Sequence, residues 1–230
     1  MQTALVPAAM KGYEMDVKEA IRKRRAVRTY TDKPVDDATL DGLLRLALRA
    51  PTGGGQQAWS LLVVRDPEIR TAVADLIIDG GATYFALMRP KRDATDEEHA
   101  AWAKEYAEGV MSTYRQVPAF VVGLLVPRGY PEGFPGGDED DLVSLAFAFE
   151  NLMLAARAEG LGSVPITAFQ RWEKDRLREI LGLPAEIDPA IVSPIGYPES
   201  FPTGLAPALK RNFRGWKALV HDDRWGNARD

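Results

Sequence analysis

The chain has no cysteine among its 230 residues and only two histidines. The first absence removes disulfides, cysteine-ligated zinc, iron–sulfur clusters and thiol nucleophiles together. His99, set among acidic residues, and His221, before Asp222 and Asp223, fit no metal-ligand spacing such as H-E-x-x-H. A metalloenzyme is therefore disfavoured, and solvated or tail-packing roles are the reading for both histidines. No G-x-S-x-G elbow is present, which speaks against a Ser-His-Asp hydrolase. The most apolar run, Leu142 to Ala156, is broken by Glu150 and Asn151 and falls short of the roughly 20 residues that span a bilayer. The opening MQTALVPAAMKGYEMDV lacks the basic stretch and apolar block of a secretory signal. A basic balance is missing too: the formal charge of -4 argues against a nucleic-acid partner. The expectation is a soluble, cytoplasmic protein with neither membrane nor nucleic acid as partner.

What is present is an ordinary globular mixture, 46% hydrophobic and 27% charged, enough to fill a core. Asp16 to Arg24 has helical spacing and ends in a basic cluster; Asp36 or Asp37 offers an N-cap for a second helix, whose stripe is Leu40, Leu43, Leu44, Ala47 and Leu48. Leu61 to Val64 and Ala119 to Val126 are continuous apolar blocks of the kind that strands covered on both faces have. Between them, residues 71–116 are richer in charge and read as exposed helices forming an excursion or lid. The acidic turn before Leu142 leads into a helix, apolar on nearly every face, that stops at Gly160. A short extended piece follows, then a helix containing Trp172, Leu177, Ile180 and Leu181, and a strand around Ala190 to Ile195. Residues 1–15 read as a loose arm and residues 16–230 as a single domain, with a C-terminal extension from about 203 that packs on the body or on a second subunit. Helices alternating with core strands give an α/β or α+β class with a central sheet.

Neither glycine run, Gly53 to Gly55 or Gly160 and Gly162, continues into a Walker or Rossmann fingerprint. The second reads as a helix stop and tight turn. The first lies between a helix and a strand and precedes Gln56 and Gln57, so bare backbone beside paired amides can approach a flat polar ligand. Two basic clusters stand out against the acidic balance: Arg22, Lys23, Arg24, Arg25 and Arg28, and far along the chain Lys210, Arg211 and Arg214. The first can simply neutralise a helix C-terminus; brought together, the two would clamp a doubly charged phosphate.

RRAVRTY (Arg24 to Tyr30), APTGGGQQAW (Ala50 to Trp59) before an apolar strand, ENLMLAARAEGLGSVPITAF (Glu150 to Phe169) and VHDDRWG near the end together resemble the FMN-dependent nitroreductase family, in order and spacing from about Val17 to Gly226. The resemblance implies an α+β (α/β-like) subunit, a central mixed sheet flanked by helices with a long buried helix at a dimer interface. It further implies a homodimer with FMN between subunits, NAD(P)H as electron donor and a small electron-accepting substrate in a ping-pong cycle. By matching positions, Arg24, Arg25, Ala26 and Arg28 would contact the phosphate, ribityl chain or pyrimidine edge. Thr52, Gly55 and Gln57 would line the flavin. Pro165, Ile166 and Thr167 would run along the isoalloxazine face, a backbone N–H near Thr167 directed at N5. Lys210, Arg211 and Arg214 would complete the phosphate site. No side chain need be catalytic, since a flavin supplies the redox chemistry. Thr167 and Tyr84 are candidate hydroxyl donors beside a substrate, with packing as the alternative.

Two departures bear on this. Ala26 stands where the family has a serine, and Gly55 where it has an asparagine, with Ala58 for proline. Each lost hydrogen bond costs on the order of 1 to 3 kcal/mol. The lid set of the iodotyrosine-deiodinase type is not evident. The leading expectation is an NAD(P)H oxidoreductase acting on nitroaromatic, quinone or other electron-poor substrates. The alternatives are a specialised biosynthetic flavin dehydrogenase and a flavin-sequestering protein with little turnover.

Overall fold

A computed structural model describes residues 15–89, 94–129, 137–204, 210 and 212–229. The expected arm at 1–15 therefore lies, but for its last residue, outside the described residues, as does Arg211. Among the described residues four strands form one sheet in the order β1-β2-β4-β3: β1 (Trp59–Val64), β2 (Ala119–Leu125), β3 (Gly162–Ser163) and β4 (Asp188–Gly196). All three ladders are antiparallel, so the class is α+β. The parallel character expected of a mixed sheet comes down, among the described residues, to one bridge between Ala26 and Ser163.

Alternation along the strands sends side chains to two cores. On β2, Phe120, Val122 and Leu124 join one apolar cluster, while Ala119 and Val121 join the other. The first face is covered by α3 (Pro67–Met88) and α4 (Asp96–Met111), the second by α2 (Asp37–Ala47) and α5 (Gly137–Ala158). Gly123 on β2 admits α5: a Cβ there would lie 2.4 Å from the Phe149 ring. Asp36 is the N-cap of α2, accepting the Thr39 N–H at 2.8 Å, and Asp16 caps α1 (Val17–Lys23). After α5 the chain reverses at Gly160 (φ +73°), with the Leu161 N–H reaching back to the Ala156 carbonyl at 2.8 Å.

The excursion differs from the expected exposed helices. In α3, Val73, Ala74, Leu76, Ile77, Ile78 and Phe85 are buried, and the charged stretch begins only after it. Averaging charge over 71–116 concealed a core helix beside a solvated one. The helix expected around Trp172 is likewise two, α6 (Phe169–Trp172) and α7 (Lys174–Leu181), divided at Glu173, whose φ of -117° and ψ of 27° leave the helical region.

Candidate functional site

A cleft of about 430 Å³ opens at the β3 side of the sheet, where the segment after α1 meets the chain leaving β3. Its floor is Val164 to Phe169 and its far wall comes from α3 and α4. The local chemistry follows from strand geometry. Ile166 exchanges two backbone hydrogen bonds with Val192 of β4, at 2.8 and 3.0 Å, and its side chain is buried. In such a pair the flanking residues face the other way, so Pro165 and Thr167 are exposed to the cleft. The Thr167 N–H has no acceptor among the described residues.

The segment Arg24 to Tyr30 is held against this floor. Val27 donates to the Ser163 carbonyl at 3.1 Å, and the contact is so close that a Cβ on Gly162 would sit 2.8 Å from Val27. That register divides the basic cluster. Arg25 turns back on α1, donating to the Arg22 and Arg24 carbonyls at 2.7 Å each. Arg24 lies 3.6 Å from Glu150 on α5. Ala26, half-buried, bridges to Ser163. Arg28 alone of the cluster lines the cleft, and no carboxylate pairs with it among the described residues.

Beside Arg28 lies Tyr114, which is 1% exposed and lines the cleft, and whose hydroxyl makes no hydrogen bond among the described residues. Burial pushes its hydroxyl above the ordinary phenol range, against the opposing pull of the Arg28 charge. The group stays neutral, a hydroxyl donor on a residue of the cleft lining. Tyr84, an expected hydroxyl donor, also lines the cleft; Phe85, Arg89, Tyr106 and Phe169 lie there too and were not expected. Phe85, Arg89 and Tyr106 went unnoticed because they belong to the segment read as exposed helices, and only the fold of α3 against α4 makes them neighbours.

Thr52, Gly55 and Gln57 are not in this cleft. They lie at the opposite side of the sheet, before β1, in a turn through Gly53–Gly55 whose Gly53 N–H reaches the Ser144 hydroxyl of α5 at 3.4 Å. Gln57 (φ 48°) lines a separate open groove with Trp59 and Arg128. β1 and β3 are the two edges, three strand spacings or about 14 Å apart. From the tail, Asn212 reaches the cleft from a turn in which the Phe213 N–H bonds the Lys210 carbonyl at 3.1 Å, while Lys210 and Arg214 flank it, exposed and outside the lining. His99 stacks on Trp102 and its Nε2 lies 2.8 Å from the Ala86 carbonyl; His221 packs on Trp225.

Comparison with known proteins meets this geometry. The sequence model of the nitroreductase family matches residues 21–197. A Thermus thermophilus NADH dehydrogenase is 31% identical over 205 residues, covering 84% of this chain and 93% of that protein. Iodotyrosine deiodinase 1 of Rattus norvegicus is 29% identical over 199 residues; the match covers 84% of this chain but only 65% of the rat protein. Among solved structures, nitroreductase A from Vibrio parahaemolyticus superposes with a TM-score of 0.69 at 20% identity over 94% of this chain and 79% of its own. The NADPH:FMN oxidoreductase from Vibrio harveyi, complexed with NAD+, gives 0.67 at 20% identity over 91% and 77%.

Proposed function

The chain belongs to the nitroreductase family of oxidoreductases, and on that premise we propose that it binds FMN in the cleft of Arg28 and Pro165–Thr167. In this reading it takes electrons from NAD(P)H and passes them to nitroaromatic, quinone or other electron-poor small molecules by a ping-pong cycle. The observation that carries the reading is the Thr167 N–H, unpaired among the described residues, on an exposed strand edge. A flat ring laid on that edge meets a backbone donor fixed in place by the paired residue before it.

The cleft fits the cofactor in size and in donors. About 430 Å³ lies within the roughly 300–1,000 Å³ of small-molecule sites. Among the described residues, Arg28 offers an unpaired fork and Tyr114 an unpartnered hydroxyl. FMN, when bound, supplies hydride and electron transfer at N5. The chain's own part is to hold and orient: Arg28 and Tyr114 at the polar end, the Thr167 N–H at N5, and Pro165 and Ile166 along the ring. Lys210, Arg211 and Arg214 would close the phosphate end around the turn that Asn212 anchors. Arg24 and Arg25 would have to leave Glu150 and the α1 carbonyls to join them.

Thr52, Gly55 and Gln57 would then come from a second copy, since one subunit holds them at the other sheet edge. Leu142, Val143 and Phe147, exposed on α5, and Phe213, Trp216 and Trp225 in the tail support a homodimer that covers them. Residues 71–116 would act as lid and pocket wall, and the protein would work in the cytoplasm. Ala26 and Gly55 favour one second reading, a flavin-sequestering protein. Titration of the purified protein with FMN should give micromolar or tighter binding, and NADH or NADPH should bleach the bound flavin. Failure to bind FMN would sink both readings; binding without reduction by either nicotinamide leaves the sequestering one.

A further inference from the structure

Among the described residues, both charged residues that line the cleft are arginines, in a chain whose formal charge is -4. They sit at different places. Arg28 acts on Tyr114, whereas the Arg89 Nη1 donates to the Tyr106 hydroxyl at 2.7 Å. Tyr106 and Tyr114 are eight residues apart along α4 and the 3-10 turn Ser112–Gln116, about 12–14 Å at rises of 1.5 and 2.0 Å per residue. The two arginines thus attend tyrosines well separated along one cleft wall. If the cofactor's anion is at Arg28, Arg89 is left for another one.

Arg89 is built to receive it. Its guanidinium lies 5.2 Å from the Tyr106 ring centre and 5.9 Å from that of Phe85, two rings that meet edge to face at 4.8 Å. These partners are neutral, so they fix the side chain without cancelling its charge, and no carboxylate pairs with it among the described residues. The remaining N–H groups of the fork are available to an incoming oxygen pair. The surroundings select the rest of the molecule. Phe169 follows two residues after Thr167 and packs against Tyr84 and Phe85 at ring separations of 5.2 and 5.9 Å. An apolar aromatic wall thus runs from the Thr167 edge to the Arg89 fork.

We propose that the outer end of the cleft selects a planar aromatic carboxylate, its ring on the Tyr84, Phe85 and Phe169 wall and its carboxylate on Arg89. This inference rests on the flavin reading of the inner end and names the substrate class of that same site. Arg89 is its specificity determinant, and Tyr106 is a positioning residue that acts through it.

The test is calorimetric binding of benzoate and of its neutral isostere benzamide, first to the protein with FMN added and then to the protein alone. Benzoate should bind at least about tenfold more tightly, the size of one charge-assisted hydrogen bond. Arg89→Met should bring the ratio close to one, Arg89→Lys should keep part of it, and Tyr106→Phe should lower it while leaving it above one. FMN affinity, followed separately by flavin fluorescence, should be the same in Arg89→Met and the parent. Equal binding of benzoate and benzamide by the parent protein overturns the proposal, as does a preference that survives Arg89→Met. An Arg89→Met effect confined to the KM for NADPH, with the benzoate preference intact, overturns it in favour of a nicotinamide phosphate. Absence of FMN binding defeats the flavin reading alone, because the benzoate comparison is still read on the protein without cofactor.

Discussion

At Gly80, in the middle of α3, a methyl group would stand 2.1 Å from the Phe169 carbonyl oxygen, a backbone atom that carries the cleft floor and cannot step aside. Gly80→Ala should therefore cost on the order of 2 kcal/mol or more, as overpacking against a fixed neighbour does. Gly109 in α4 is the contrast: a Cβ there meets nothing within 4 Å, and alanine should stabilise by about 0.5–1 kcal/mol through helix propensity. Urea unfolding of the two variants should give midpoints on opposite sides of the parent's. Spacing alone treats both as weak points in a helix, and only the neighbour tells them apart. The arginines make the same point about the site. RRAVRTY lies against the cleft floor, where Val27 locks that segment to Ser163, but the string does not say which side chain points where. With Arg25 spent on α1 and Arg24 near Glu150, Arg28→Ala should weaken FMN binding by about 1–3 kcal/mol, while Arg22→Ala should change it little. Equal losses in parallel fluorescence titrations would contradict the assigned register.

At the scale of elements, the strands and most helix ends were legible because each rests on a local cause: the Asp36 cap, the Gly160 reversal, the apolar blocks that became β1 and β2. The cleft wall was not, because α3 and α4 are neighbours only after packing, and the charge of α4 masked the burial of α3. One ion-pair network helps to hold that wall. Arg115, after α4, bonds Glu108 at 2.8 and 3.0 Å and reaches across to Asp75 of α3 at 2.6 Å. The hydrogen bonds from Arg115 hold the Glu108 carboxyl below its ordinary range. A depressed carboxylate contributes stability above its unfolded value, near pH 4.3, and loses it as the pH falls through the lower folded value. Glu108→Gln should thus be less stable than the parent at pH 7, by less than about 1 kcal/mol for a pair this exposed. The two should draw together as the pH falls below the unfolded value, and a gap that stays constant through acid pH would show that the network carries no linkage.

For the whole molecule, the sequence motifs arrive in the right order yet fall into two groups that one subunit keeps apart. Arg28 and Pro165–Thr167 share the cleft near β3; Thr52, Gly55 and Gln57 lie beyond β1. Sequence reading put all of them around one ligand, and nothing in residue spacing says that the ligand must be shared between chains. If the proposed homodimer closes each site with the Gln57 group of the other copy, the two halves should complement. Arg28→Glu and Gln57→Trp subunits, each purified alone, should bind FMN poorly. After unfolding and refolding as an equal mixture, half of the dimers are mixed, and each mixed dimer has one site with both natural halves and one with neither. Binding capacity should then return to about a quarter of the parent's, if pairing is random and symmetric. Recovery at that level, measured as flavin retained per subunit after gel filtration, places the two halves on different chains. No recovery from subunits that do refold as dimers would mean that each chain completes its own site, and the groove beside Gln57 would need another role.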